Sequence, residues 1–143
     1  MTAESTGTVR VTHRYKASAE RVFDAWLDPF FAGKWLFATD TGQMVKVEID
    51  PRVGGRFNFT DRRDGEDVEH VGEYLEIDRP RKLVFTFGVP KFSPLMTKVT
   101  VEIEPLSSGC ELMLTHEGVL AEYLEGSKSG WTMILDKLAR FVD

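Results

Sequence analysis

Apolar and polar residues alternate through most of this chain, and the period changes near its end. Val9, Val11, His13 and Tyr15 alternate with Arg10, Thr12, Arg14 and Lys16, the two-residue repeat of a half-buried strand. Ser18 then offers an N-cap and Glu20 suits a first helical turn, while Val22, Phe23 and Trp26 share one helical face. Asp28-Pro29 ends that helix and opens another, with Asp as N-cap and Pro at the first helical position. The second helix is short: Phe30, Phe31, Lys34, Trp35, Leu36.

The middle reads as strand throughout. Val45, Val47 and Ile49 alternate with charged neighbours, and Gly54-Gly55 opens a segment carrying Phe57 and Phe59. Asp64-Gly65, inside the polar stretch from Asp61 to Glu66, is a hairpin signal. Val68 to Ile77 returns, and Arg79-Pro80-Arg81 turns the chain into Leu83, Phe85 and Phe87. A loop with prolines, Gly88 to Pro94, leads to Val99, Val101 and Ile103; Ser107-Ser108-Gly109 turns into Leu112, Leu114 and His116. Short turns between consecutive strands imply an antiparallel meander.

The last two dozen residues switch to helical spacing. With Trp131 as reference, Leu120, Leu124, Ser127, Ile134, Leu135, Leu138 and Val142 fall on one side, and Met133, Asp136, Lys137 and Arg140 point away. So apolar a face must be buried, and the preceding sheet is the large partner for it. The predicted order is β-α-α-β-β-β-β-β-β-α: an α+β fold of about seven curved strands closing on a long C-terminal helix, with a hollow between them. Residues 1–7 are predicted as a disordered tail and 8–143 as a single domain.

Length and charge narrow the function. The chain has 143 residues, ordinary for one domain and enough for a core without staples. Its formal charge of −5 argues against nucleic acid, because phosphate binding needs a basic face. One cysteine, Cys110, allows no internal disulfide and suggests a reducing compartment. No apolar run reaches membrane-spanning length, so membrane insertion is not expected and the cytoplasm is.

Several segments, taken in order, resemble a known family. Asp50-Pro51-Arg52-Val53-Gly54-Gly55-Arg56-Phe57 is similar to the D-x-R-x-G-G-x-F segment of the Hsp90 ATPase activator homologue-like family, of the START-like (SRPBCC) superfamily. Val22 to Trp26 with Asp28-Pro29, Trp35, Gly72 to Glu76, Pro80 to Thr86, and Gly130-Trp131 with Leu135 and Leu138 extend the match from about Val11 to Phe141. The resemblance implies the helix-grip fold and a deep cavity between sheet and long helix for a hydrophobic or amphipathic molecule. It carries no shared catalytic residues. The eukaryotic co-chaperone resembling this domain has a separate N-terminal domain that makes much of the chaperone contact; this chain has the helix-grip part only. Regulation of an Hsp90-type chaperone, and with it a link to the stress response, is the third-ranked expectation.

Candidate chemistry is sparse. There is no phosphate-cradling loop ahead of a helix, no zinc-type Cys/His spacing and no nucleophile elbow, so neither metal nor cofactor is expected. Gly54-Gly55 opens a strand and reads as a tight bend where the sheet curves. Of the three histidines, strand parity turns His13, with Val11 and Tyr15, and His116, with Leu112 and Leu114, towards the interior. Glu73 and Glu76 lie on opposite faces of one strand, and a bulge that leaves both in solvent is the preferred reading. Aromatics exceed what a solid core needs, Phe30 among them. Ser127 sits among apolar neighbours and requires a partner, either its own helix backbone or a ligand. Gly130 is expected where helix and sheet approach closely, and Gly126 to loosen the helix start.

The cavity wall is therefore expected to include His13, Tyr15, Trp26, Trp35, Phe57, Phe59, Tyr74, Phe85, Phe87, Leu114, His116, Ser127 and Trp131. Binding of a small hydrophobic or amphipathic ligand is the leading function. The alternative is a cyclase, dehydratase or hydrolase-type enzyme, which requires His13, His116, Glu73 or Tyr74 to converge. Sequence leaves open whether the chain is a monomer or a homodimer.

Overall fold

The computed structural model describes residues 5–38 and 41–143. The elements are β1 (Thr6–Tyr15), α1 (Ala19–Leu27), α2 (Pro29–Trp35), β2 (Gln43–Ile49), β3 (Arg56–Arg63), β4 (Glu66–Asp78), β5 (Lys82–Phe87), β6 (Thr97–Pro105), β7 (Cys110–Leu120) and α3 (Leu124–Val142). This is the order the hydrophobic pattern predicts. The seven strands form one antiparallel sheet ordered β1-β7-β6-β5-β4-β3-β2. Residues 1–4 of the expected tail lie outside the described residues. Thr6 and Gly7, also assigned to that tail, belong to the sheet instead, because the end of β7 is long enough to pair them with Leu120 and Val119.

Local chemistry sets the helix boundaries. The Ser18 hydroxyl accepts from the Arg21 N–H at 3.2 Å and so caps α1. Asp28 Oδ1 accepts from the Phe30 N–H at 2.9 Å, with Pro29 opening α2. Together α1 and α2 carry the chain from β1 at one edge of the sheet to β2 at the other. Gly54 has φ +86°, and a Cβ on Gly55 would collide with the Asp50 carbonyl oxygen, so the bend before β3 needs both glycines. A register shift between Tyr74 and Glu76 turns Tyr74 inward and leaves Glu76 exposed; Glu73 is half-buried.

The core fills the concave face of the sheet. Trp131, Leu135, Leu138 and Val142, at alternating spacings of four and three, are the residues α3 buries. The C-terminal half of α3 is fastened to the start of the chain. The Tyr15 hydroxyl donates to the Leu135 carbonyl at 2.9 Å, and Asp143 Oδ1 accepts from the Lys16 and Ala17 N–H groups. Among the described residues no hydrogen bond ties residues 124–130 of α3 to the start of the chain, and Ser127 and Gly130 of that segment help to wall the site described next. No helix among the described residues is long and apolar enough to cross a membrane.

Candidate functional site

A cleft runs beside the N-terminal half of α3, facing β3, β4, β5, β7 and the Gly88–Met96 connection. It has two adjoining parts of about 480 Å³ each, within the usual range of ligand pockets, ~300–1,000 Å³. Phe87, Val89, Phe92, His116 and Ser127 line both parts. One part continues past Trp131 and Ile134 towards Arg63, Lys137 and Arg140. The other continues past Leu95 and Val119 to Tyr123 and is lined almost wholly by apolar groups. The space is an open groove along the flank of α3 rather than the deep enclosed cavity the resemblance implies.

Glycine opens the helix side. A Cβ at Gly126 or Gly130 would meet no atom within 4 Å. Gly130 is thus not a point of close approach between helix and sheet, as its sequence context suggests; its missing side chain is cleft volume. Ser127, between the two, makes no side-chain hydrogen bond among the described residues, so its hydroxyl is not spent on its own helix.

Three aromatic rings form the inner wall. His70 and Phe87 each lie nearly parallel to Phe37, at 4.8 and 4.9 Å between centroids. Their own separation of 6.1 Å places both on the same side of the Phe37 ring. Phe37 holds φ +61°, left-handed backbone that is strained for a residue with a Cβ, and it is 5% exposed. Packing of its ring against its neighbours holds that conformation.

Both cleft histidines are neutral for a structural reason. Trp131 Nε1–H donates to His116 Nδ1 at 3.0 Å. The ring proton of His116 therefore sits on Nε2, which donates to Thr97 Oγ1 at 2.6 Å, and the Thr97 hydroxyl donates to the Phe87 carbonyl at 2.7 Å. This relay is complete, and burial pushes the His116 pKa down to about 4. His70 donates from Nδ1 to the Phe59 carbonyl at 3.1 Å, and its pKa is lowered chiefly by burial. Beyond it, Arg63 Nε holds the buried Asp61 carboxylate at 2.7 Å.

Of the residues expected to line a cavity, Phe87, His116, Ser127 and Trp131 border the cleft. The others lie elsewhere. Trp26, Phe57, Phe59, Tyr74 and Phe85 surround a residual space of only about 10 Å³, at the lower limit for a single water; they are solid core. Trp35 packs edge-on against Trp26 and donates to the Ala25 carbonyl, and Leu114 is fully buried. Tyr15 is bound to α3, and His13 stacks on Tyr15 at 4.4 Å and donates to Asp136 at 3.0 Å. Parity turned His13 the right way, but β1 is an edge strand, so the neighbour it meets is the fastened half of α3. Phe30 is 68% exposed, with Lys34 over its ring. Met133, Asp136, Lys137 and Arg140, expected to point away, form the cleft rim instead.

Sequence reading missed Phe37, Arg63, His70, Val89 and Phe92. The alternation of Val68, His70, Gly72 and Tyr74 carries the signal for His70, since all four are buried on one face of β4. Nothing in the sequence marks Phe37. The convergence required for acid-base catalysis does not form: His13, Tyr74 and His116 sit in three separate environments, and Glu73 lines neither part of the cleft. Among the described residues, no group of three or more His, Cys, Asp or Glu side chains is arranged to hold a metal ion.

A curved seven-stranded antiparallel sheet clasping one long C-terminal helix, with two short helices after the first strand, defines a helix-grip domain. The chain belongs to the "Activator of Hsp90 ATPase homolog 1-like protein" family, whose model matches residues 16–143. Protein CV1439 from Chromobacterium violaceum is 31% identical, with a TM-score of 0.86 over 94% of this chain and 96% of that one. An AHSA1-like protein from Aeromonas hydrophila shares the fold at 22% identity and a TM-score of 0.80, covering 95% of this chain and 92% of that one. So does a Staphylococcus aureus protein of unknown function, SA2116, at 20% identity and a TM-score of 0.85, over 97% of this chain and 94% of that one. Among curated proteins, none matches the chain.

Proposed function

We propose that this protein binds a small, largely apolar molecule in the cleft between α3 and the Gly88–Met96 connection. The observation that carries the reading is the continuous groove of two parts of about 480 Å³ each, walled by Phe87, Val89, Phe92 and Trp131. Binding is driven by apolar burial, about 25 cal/mol per Å² removed from water. Exposed Phe92, Leu95 and Tyr123 at its rim add apolar surface that an occupant would cover. The compartment we propose is the cytoplasm, on the single buried Cys110. Action on a chaperone ATPase, which the family's name describes for another protein, has no comparable feature of this chain in its favour.

Titration with the neutral dye Nile red tests the reading. Saturable binding that Gly130→Leu abolishes is expected, because a Cβ there meets no atom within 4 Å and the position borders the cleft, so the added side chain has cleft volume to occupy. Absent binding, or binding indifferent to Gly130→Leu in a folded variant, would sink it. Mass spectrometry of denatured protein would then identify any compound that co-purifies.

A further inference from the structure

The cleft is polarised along its length. At one end the lining carries three cationic side chains, Arg63, Lys137 and Arg140, against one carboxylate, Asp136. At the other end the lining from Leu95 to Tyr123 carries no charged side chain among the described residues. This local excess of positive charge stands on a chain whose formal charge is −5. It belongs to the architecture of the groove and not to a generally basic surface.

The cations differ in how far they are committed. Arg63 uses Nε for Asp61, leaving the terminal nitrogens of its planar fork outside that bond. Among the described residues, no carboxylate pairs with Arg140. Asp136, the opposing charge, is turned to His13 on β1. The neutral relay through His116 and Trp131 lies between the charged end and the apolar end. The alternative anion site, the start of α3, carries Glu125 in its first turn, which opposes a second negative charge there.

Resting on the binding reading above, we propose that the occupant is an amphipathic carboxylate whose head lies at Arg63 and Arg140. Its apolar body runs over Phe87 and Trp131 towards Val119 and Tyr123. From Gly126 to Arg140 α3 rises roughly 20 Å, which suits an elongated ligand lying along the helix. Apolar burial supplies most of the affinity, and the charge fixes which way round the ligand lies. The modest charge excess selects a single negative charge over a polyanion, which the acidic remainder of the chain repels.

Displacement of Nile red from the full chain by decanoate, 1-decanol and decyltrimethylammonium tests this. Decanoate is expected to bind about tenfold more tightly than decanol, as one charge-assisted contact implies. The cation is expected to bind most weakly. Arg140→Gln lies on an exposed helical position and so leaves the fold intact; it should shrink the preference for decanoate over decanol, as should raised salt. Equal affinities for decanoate and decanol would overturn the charge assignment and leave the apolar reading standing. A preference for the cation, or a decanoate preference untouched by Arg140→Gln, would also overturn it. Failure of all three compounds and of the dye to bind would remove both readings together.

Discussion

The indole of Trp131 and the imidazole of His116 are locked into one tautomeric arrangement. Because an indole nitrogen can only donate, the 3.0 Å bond from Trp131 Nε1 makes His116 Nδ1 an acceptor and assigns the ring proton to Nε2. A second proton on that ring would set two donors face to face inside the protein. One of the two histidines that strand parity turns inward is therefore held as a neutral structural link.

Stability should consequently fall in mild acid. The folded pKa of His116, about 4, lies below the ordinary value of about 6.5. As pH drops from about 6.5 towards 4 the unfolded chain takes up a proton that the folded chain refuses, so the contribution of this group is full above 6.5 and lost below it. The loss amounts to about 3 kcal/mol when complete. Urea unfolding across that range measures it, and His116→Gln should show a shallower pH slope. A slope unchanged in the variant would place the acid sensitivity elsewhere.

Replacing Trp131 by Phe keeps an aromatic ring but removes the donor. The buried Nδ1 of His116 loses its partner, with an expected cost of about 1–3 kcal/mol. Nitrogen-15 shifts of the imidazole should reveal a changed tautomer population, which a loss of packing alone would not produce.

Gly130→Ala should stabilise the protein. A helix-interior glycine costs about 1 kcal/mol relative to alanine, and nothing stands within 4 Å of the added methyl. A higher melting temperature with unchanged secondary structure is the expected outcome. A lower one would mean that the space beside α3 is not open in solution.

At Phe37 the replacements Phe37→Ala and Phe37→Gly should rank in an unusual order. Both lose the ring stack with His70 and Phe87, but only Gly relieves the left-handed backbone, worth roughly 1–2 kcal/mol. Phe37→Gly should therefore be the more stable of the pair in chemical denaturation. The reverse order would show that φ is not strained there.

The fold was legible because its signals are local. Period-two alternation identified the strands, Ser18 and Asp28-Pro29 the two caps, and the spacing of Trp131, Leu135, Leu138 and Val142 the buried stripe of α3. The cleft was legible only in part, because empty space depends on how side chains from distant strands fill volume. Phe57, Phe59 and Phe85 look identical in pattern to Phe87, yet three close against one another and the fourth borders a groove. The lining instead comes from Gly126 and Gly130, from the irregular Gly88–Met96 connection, and from Phe37, whose backbone no periodicity describes.

The start of α3 has a consequence of its own. Its N-cap, Tyr123, supplies no side-chain bond to the first turn, and two glycines follow within the next seven residues. The later turns are clamped to Tyr15 at the end of β1 and to Lys16 and Ala17 just after it. One helix thus joins a firmly anchored shaft to a yielding tip, and amide protons in residues 124–130 should exchange with solvent faster than those in 135–142. The yielding tip, through Gly126 and Ser127, borders the apolar part of the groove and can reshape around what enters there, while the charged rim from Asp136 to Arg140 stays on the anchored shaft.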